Sequence, residues 1–226
     1  MYIYSKKSRR RMHAIPAAIA LGLVALLWLA NATRHTHAEQ VLSAQNLSQW
    51  ESDCRHCDIS SQYDILQGDV VHLSSQGDLN IERELNETPA NPKLSWRWSV
   101  DTYVDGGTLI RITLHVKETD NWPERTLHYV WDSAQEAGAI EALSDFEHRI
   151  VVTGAEAKAE NWYKIARDLN SDWAAIYNEP LPPLERIEVG LGMAGDKAVT
   201  GAFLDSIVLI SDDSVPPQQP AIAINE

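Results

Sequence analysis

Leu94-Ser95-Trp96-Arg97-Trp98-Ser99-Val100 alternates strictly, with Leu94, Trp96, Trp98 and Val100 on one side and Ser95, Arg97 and Ser99 on the other. A period of two with so heavy an apolar side is a β-strand lying over a core. The pattern repeats downstream. After a turn at Asp105-Gly106-Gly107, Ile110, Ile112, Leu114 and Val116 alternate with Arg111, Thr113, His115 and Lys117. A third run sets Leu127, Tyr129 and Trp131 against His128, Val130 and Asp132. Shorter strands are predicted at Val70–Leu73, Leu79–Leu85, Arg149–Thr153, Arg186–Met193 and Ala202–Ile210. Short strands punctuated by Gly, Asn, Asp and Pro predict a mostly β protein, an antiparallel jelly-roll-like sandwich.

One stretch carries two periods. Trp162, Ile165, Leu169, Trp173 and Ile176 fit one helical face. A strand to about Arg167, then a short helix over Ser171–Tyr177, accommodates both signals. Asn170 or Ser171 would cap that helix, and Asn178 followed by Pro180 would end it.

The flanks differ in composition from this centre. Residues 1–32 hold Lys6, Lys7, Arg9, Arg10 and Arg11 with no acid, then seventeen uncharged residues over Ala14–Ala30, then Ala30-Asn31-Ala32. This is the plan of a secretory signal peptide. The apolar run is long for a signal and slightly short for a membrane span, so cleaved signal and uncleaved anchor (residues 14–32) both stand. Either way the rest of the chain is expected on the exported, periplasmic side. No cysteine follows the apolar run closely enough for lipid attachment; the first is Cys54. Residues 33–46 read as a polar spacer, 47–210 as the β-sandwich domain, and 211–226, with Pro216, Pro217 and Pro220, as a flexible tail.

Charge excludes one class of partner. The chain has 19 Lys+Arg against 32 Asp+Glu, and without residues 1–32 the balance is 14 against 32, a net of −18. Such a surface repels phosphate backbones, so no nucleic-acid partner is expected. Contact with a membrane is expected only through the N-terminal segment, if it is retained.

No catalytic constellation stands out. There is no Gly-x-Ser-x-Gly element, and His72, His115, His128 and His148 lack metal-ligand spacing. Carboxylate pairs suited to glycoside hydrolysis arise by chance among so many acids, so their presence decides nothing. Cys54-Arg55-His56-Cys57 has Asp58 where haem attachment requires histidine, and no amphipathic helix follows. A local disulfide between Cys54 and Cys57 is the expectation in an oxidising compartment, with free thiols or a metal or redox site as alternatives. Trp96, Trp98 and Trp131 suit either an aromatic platform or core packing, and their apolar neighbours favour the core. Trp122, in Asp120-Asn121-Trp122-Pro123-Glu124, lies in a polar loop and is the better contact residue. Arg97, His115 and His128 alternate outward on adjacent candidate strands and could form a polar patch. The candidate ligand-binding set is therefore Trp122, Asn121, Arg97, His115 and His128, with no catalytic residue, metal or cofactor expected.

Several of these pieces, taken in order, resemble an exported bacterial family known as domain of unknown function 3047. They are Leu94-Ser95-Trp96-Arg97-Trp98, Leu127-His128-Tyr129-Val130-Trp131, and Arg149-Ile150-Val151-Val152 running into Gly154. Trp162 with Arg167-Asp168 and Phe203-Leu204-Asp205-Ser206-Ile207 complete the set, spanning roughly residues 45–210. The resemblance implies a galactose-binding-like jelly roll, a form shared by many carbohydrate-binding modules. The chain departs from the family at Met193-Ala194-Gly195-Asp196-Lys197, where an acidic and amide cluster is usual. It departs again at Tyr177-Asn178-Glu179-Pro180, where Phe-Gly is common. A non-catalytic exported module binding a glycan or other polar envelope component follows from this resemblance. The alternatives are an envelope protein-interaction or assembly factor, like the complex I intermediate-associated chaperones on related sandwiches, and an uncharacterised hydrolase.

Overall fold

A computed structural model describes residues 38–52, 54, 56–75, 79–101, 106–120, 122–193 and 201–211. The leader, the C-terminal tail, Asn121 and the departure at 194–197 lie outside the described residues. Among the described residues, no helix is long and apolar enough to cross a membrane.

Among the described residues, fourteen strands form two seven-stranded sheets. In sheet A, the strand bearing the tryptophan alternation is β6 (Pro92–Val100). One of its edges takes β11 (Tyr163–Asp168). The other takes β13 (Gly201–Leu204) along its later half and β14 (Ile207–Ser211) along its earlier half. β14 continues to β1 (Ala38–Leu42), and β13 to β4 (Gly68–Ser75) and β3 (Cys57–Asp64). Sheet B runs β2 (Glu51–Ser52), β5 (Leu79–Glu84), β12 (Leu184–Leu191), β7 (Thr108–Val116), β8 (Arg125–Asp132), β10 (Glu147–Thr153) and β9 (Ile140–Ala142).

The inner faces meet around aromatic rings. Trp96 and Trp98 of β6 face Tyr129 and Trp131 of β8, with centroids 5.6 Å (Trp96–Tyr129) and 6.4 Å (Trp98–Trp131) apart. All four are buried. The three strand tryptophans are thus core residues, and the Trp98 indole N–H donates to Thr153 Oγ1 at 3.0 Å.

The single α-helix among the described residues is α1 (Leu169–Tyr177). It starts two residues earlier than its sequence predicts, so Asp168 is the cap and its carboxylate accepts from the Ser171 N–H at 3.0 Å. Asn178 ends it in the left-handed conformation, as expected. α1 is tied to sheet B by one buried carboxylate. Asp172 Oδ2 accepts from the Tyr129 hydroxyl at 2.8 Å, and Arg167 grips both its oxygens at 2.8 and 2.5 Å. Burial, then the Asp172 charge, raises the Tyr129 hydroxyl well above its ordinary pKa, so the phenol stays a donor.

Four expectations need correction. The sandwich is not wholly antiparallel: β10 pairs parallel with β8. The Ser133–Phe146 connection runs back along the sheet and adds β9 at the edge, so β10 begins beside the beginning of β8. Ala202–Ile210 is two strands, broken at Asp205-Ser206, where Asp205 turns to Arg97 with both its backbone N–H and its carboxylate. β1 lies within the stretch expected as a polar spacer; it has only two buried apolar residues and is held by backbone pairing to β14. Finally, β3 is largely polar and exposed, and alternation does not reveal it.

Cys54 and Cys57 form the expected disulfide, just where β3 begins opposite Ser75. The closed loop is so short that reduction is expected to cost only about 1–2 kcal/mol. Urea unfolding with and without reductant checks this.

Candidate functional site

The outer face of sheet B is built by the same alternation that buries its inner face. On β7, Ile110, Ile112, Leu114 and Val116 point inward, which leaves Arg111, Thr113 and His115 outside. Register sets their neighbours. Glu188 of β12 lies beside Thr113, which lies beside His128 of β8, itself beside Arg149 of β10. One residue pair along, Arg186, His115, Thr126 and Glu147 form the next row.

These side chains are cross-linked by polar contacts. Arg111 donates to Asn80 Oδ1 at 2.5 Å, to Glu188 Oε1 at 2.9 Å and to the Gly192 carbonyl. Its guanidinium passes close over Gly190, where a Cβ would meet Arg111 Cζ at 2.6 Å. The glycine is what lets the arginine cross the sheet. His115 Nδ1 meets Glu124 Oε1 at 2.5 Å, and Arg186 donates to the same oxygen at 2.8 Å. Burial alone would push the Glu188 carboxyl up. The His115 hydrogen bond and the Arg111 charge outweigh it and hold Glu188 below the usual carboxylate range.

His128 is fixed in one tautomer. Glu147 can only accept, so Nε2–H donates to its Oε1 at 2.9 Å, and the Thr113 hydroxyl donates to Nδ1 at 2.8 Å. Burial lowers the His128 pKa more than Glu147 raises it, with Arg111 and His115 adding to the lowering. His148, on the inner side of β10, is lowered too, chiefly by burial.

Both histidines bind fewer protons folded than unfolded just below their ordinary pKa of about 6.5, so stability rises with pH across that window. Urea unfolding is expected to show less stability at about pH 5.5 than at about pH 7.5. His128→Gln should narrow the difference; an unchanged difference in His128→Gln and His148→Gln would contradict the assignment.

Above these rows lies a cleft of about 380 Å³ lined by Arg111, Thr126, His128, Phe146, Glu147 and Met193 among others. It shares Glu124 with a second hollow along the β7–β8 loop, lined by Lys117, Thr119, Asp120 and Arg186. The two hollows adjoin at Glu124, and the groove over His115 and His128 is lined by fixed donors and acceptors with Phe146 as a partly exposed ring.

The candidate residues named from sequence fall in three places. His115 and His128 are together on the outer face of sheet B, nearly buried beneath the groove. Arg97 is apart from them, on the outer face of sheet A, paired with Asp205. Trp122 is at the tip of the β7–β8 loop, 50% exposed, in a tight turn closed by Thr119 N–H to Trp122 O at 2.9 Å. One ring face covers the Arg125 guanidinium at 5.6 Å. Arg125 in turn stacks on Trp173 and Tyr177 and pairs with Glu179 at 2.6 Å. Asn121 lies outside the described residues. Glu124, a polar neighbour of Trp122 in the sequence, joins the site, and so do Arg111, Arg186, Glu188, Glu147 and Phe146, which the sequence did not single out. Arg111 was within reach, because it shares the outward parity of His115.

A family model described as Protein of unknown function (DUF3047) matches residues 107–196. The resemblance carried by the sequence motifs therefore holds over that span, which runs from β7 through β12 and includes α1. No curated protein matches the chain. Among solved structures, the chain is similar to a Family 11 Carbohydrate-Binding Module from Clostridium thermocellum in complex with a β-1,3-1,4-mixed-linked tetrasaccharide. The match has 13% identity and a TM-score of 0.44, covering 77% of this chain and 95% of the module. The CBM22-1–CBM22-2 tandem domain from Paenibacillus barcinonensis Xyn10C matches at 10% identity and TM-score 0.45, over 74% of this chain and 47% of its own. TmCBM61 in complex with β-1,4-galactotriose matches at 16% identity and TM-score 0.34, over 72% and 88%.

Proposed function

We propose that the chain is a non-catalytic exported binding module that takes a glycan, or another polar envelope component, along the outer face of sheet B. The observation that carries this is the ordered polar row beneath the groove. Arg111, Thr113, His115 and His128 are locked by Glu124, Glu147 and Glu188 before any ligand arrives. Hydroxyl-rich ligands need fixed donors and acceptors beside an apolar ring, and a prearranged face avoids the entropy of ordering side chains on binding. Phe146 supplies a ring on the face, and the solvent side of Trp122 supplies another at the loop end. Residues 14–32 deliver the domain across the membrane and leave it either free or tethered.

Titration with envelope polysaccharides, followed by tryptophan emission and calorimetry, tests the reading. Trp122→Ala and Phe146→Ala are each expected to weaken binding about tenfold, since ring stacking contributes about 1–2 kcal/mol. Unchanged emission across a glycan panel would overturn it.

A second reading has an observation of its own. Glu51, Glu82 and Glu84 cluster along hollows at the β2–β5 edge, which suits a basic protein partner. A stoichiometric partner recovered from envelope extracts and lost at high salt would favour an assembly role.

A further inference from the structure

The cationic side chains over the outer face of sheet B are already paired. Arg111 is held by Glu188 at 2.9 Å, and Arg186 by Glu124 at 2.8 Å and Glu82 at 3.3 Å. His115 meets Glu124 at 2.5 Å and Glu188 at 3.6 Å, and His128 meets Glu147 at 2.9 Å. Among the described residues lining the two hollows, Lys117 is the one cation outside an ion pair, and it lies exposed next to Glu118.

The carboxylates are not used up in the same way. Oε1 of Glu124 takes the bonds from His115 and Arg186, and Oε1 of Glu147 takes the bond from His128. Their Oε2 atoms receive none from the described residues, and the two side chains are 38% and 42% exposed at the cleft. Glu118, Asp120 and Glu185 line the adjoining hollow with no ion pair among the described residues. A carboxylate oxygen can only accept. The polar capacity left open in the groove is therefore mainly acceptor capacity, and it carries negative charge.

That capacity decides which groups a ligand can bring. A sugar hydroxyl has a proton to donate, so it completes the open oxygen of Glu124 or Glu147. The ionised carboxylate of a uronic acid, or the phosphate of a phosphorylated sugar, has no such proton and sets like charge against like. With the arginines and histidines already neutralised, nothing in the cleft offsets that repulsion. Repulsion built into a site is how a binding surface rejects a competitor of the same shape.

We propose that the groove takes an uncharged, hydroxyl-rich glycan whose hydroxyls donate to Glu124 and Glu147, and that these two carboxylates reject uronic-acid and phosphorylated glycans. The proposal rests on the glycan reading of the groove and narrows it to neutral chains. Glu124 and Glu147 determine the specificity: one oxygen of each fixes a histidine of the floor, and the other is presented to the ligand.

The test pairs each neutral glycan of a panel with its own form oxidised to a carboxylate at the primary hydroxyl, which keeps length and linkage constant. Both are titrated into the full chain at low salt, with tryptophan emission as the readout. The neutral form is expected to bind at least about tenfold more tightly than its oxidised partner. High salt should shrink the gap, because it screens the repulsion. Glu124→Gln and Glu147→Gln keep an acceptor and remove the charge, so each should raise affinity for the oxidised form. Equal or tighter binding of the oxidised form by the unmodified chain overturns the proposal and leaves glycan binding standing. So does a gap that neither salt nor either variant changes. Binding of neither form overturns the glycan reading itself. A second measurement needs no glycan: the imidazole NMR signals of His115 and His128 are recorded with galacturonate or inorganic phosphate. They are expected to stay in place, and a saturable shift of either would seat an anion in the groove and overturn the proposal.

Discussion

Replacing Trp98 with alanine is expected to lower the free energy of unfolding by about 3–5 kcal/mol. The indole is fully buried, packs edge-on against Trp96 at 5.4 Å and donates to Thr153. Truncation removes the largest kind of side chain from the centre of the sandwich and strands a buried hydroxyl. Since domains of this size are stable by only about 5–15 kcal/mol, much of the margin would go. Trp122→Ala is the contrast. It loses one exposed ring and a cation–π contact with Arg125, about 0.5–1 kcal/mol at a half-exposed site. Paired urea curves for the two variants check both values. Equal losses would mean that the Trp122 loop is a folded cover over the core rather than a contact.

Asp172→Ala should come next in size, at about 2–3 kcal/mol. Its carboxylate is the joint between β8, β11 and α1, and without it the Tyr129 hydroxyl is buried with no acceptor and Arg167 loses both its bonds. Asp172→Asn keeps an acceptor for Tyr129 and should recover part of the loss. The same order of loss for both variants would contradict the assignment to that hydroxyl.

Strands that sit on the core declared themselves in the sequence. β6, β7 and β8 each turn a large apolar side chain to the core at every second position, so the alternation is plain in the residues even where the outward side chains are covered too. β1 and β3 did not, because one offers only Val41 and Leu42 to the core and the other faces largely outward. Their place depends on backbone hydrogen bonds to strands far away in the chain, which composition does not record. The parallel pairing of β10 with β8 was hidden for the same reason. An arginine or a histidine on an alternating strand signals an outward side chain, and it says nothing about which sheet the strand joins. Arg97 and His128 have the same local pattern, yet β6 lies in sheet A and β8 in sheet B. The groove was legible only in part, since Glu188 and Arg186 reach His115 from a strand about seventy residues away. Trp122 was correctly expected to be exposed, because its loop supplies no apolar neighbours. The Arg125 beneath it became visible only once α1 was placed beside β8.

The most direct test of the central claim is a crystal structure of residues 38–211 with an envelope oligosaccharide identified by the glycan titration. The ligand is expected across β7 and β8, with its hydroxyls within hydrogen-bond distance of Arg111, Thr126 and Glu147 and a sugar ring against Phe146. A ligand seated on the outer face of sheet A, beside Arg97 and Asp205, would contradict the account.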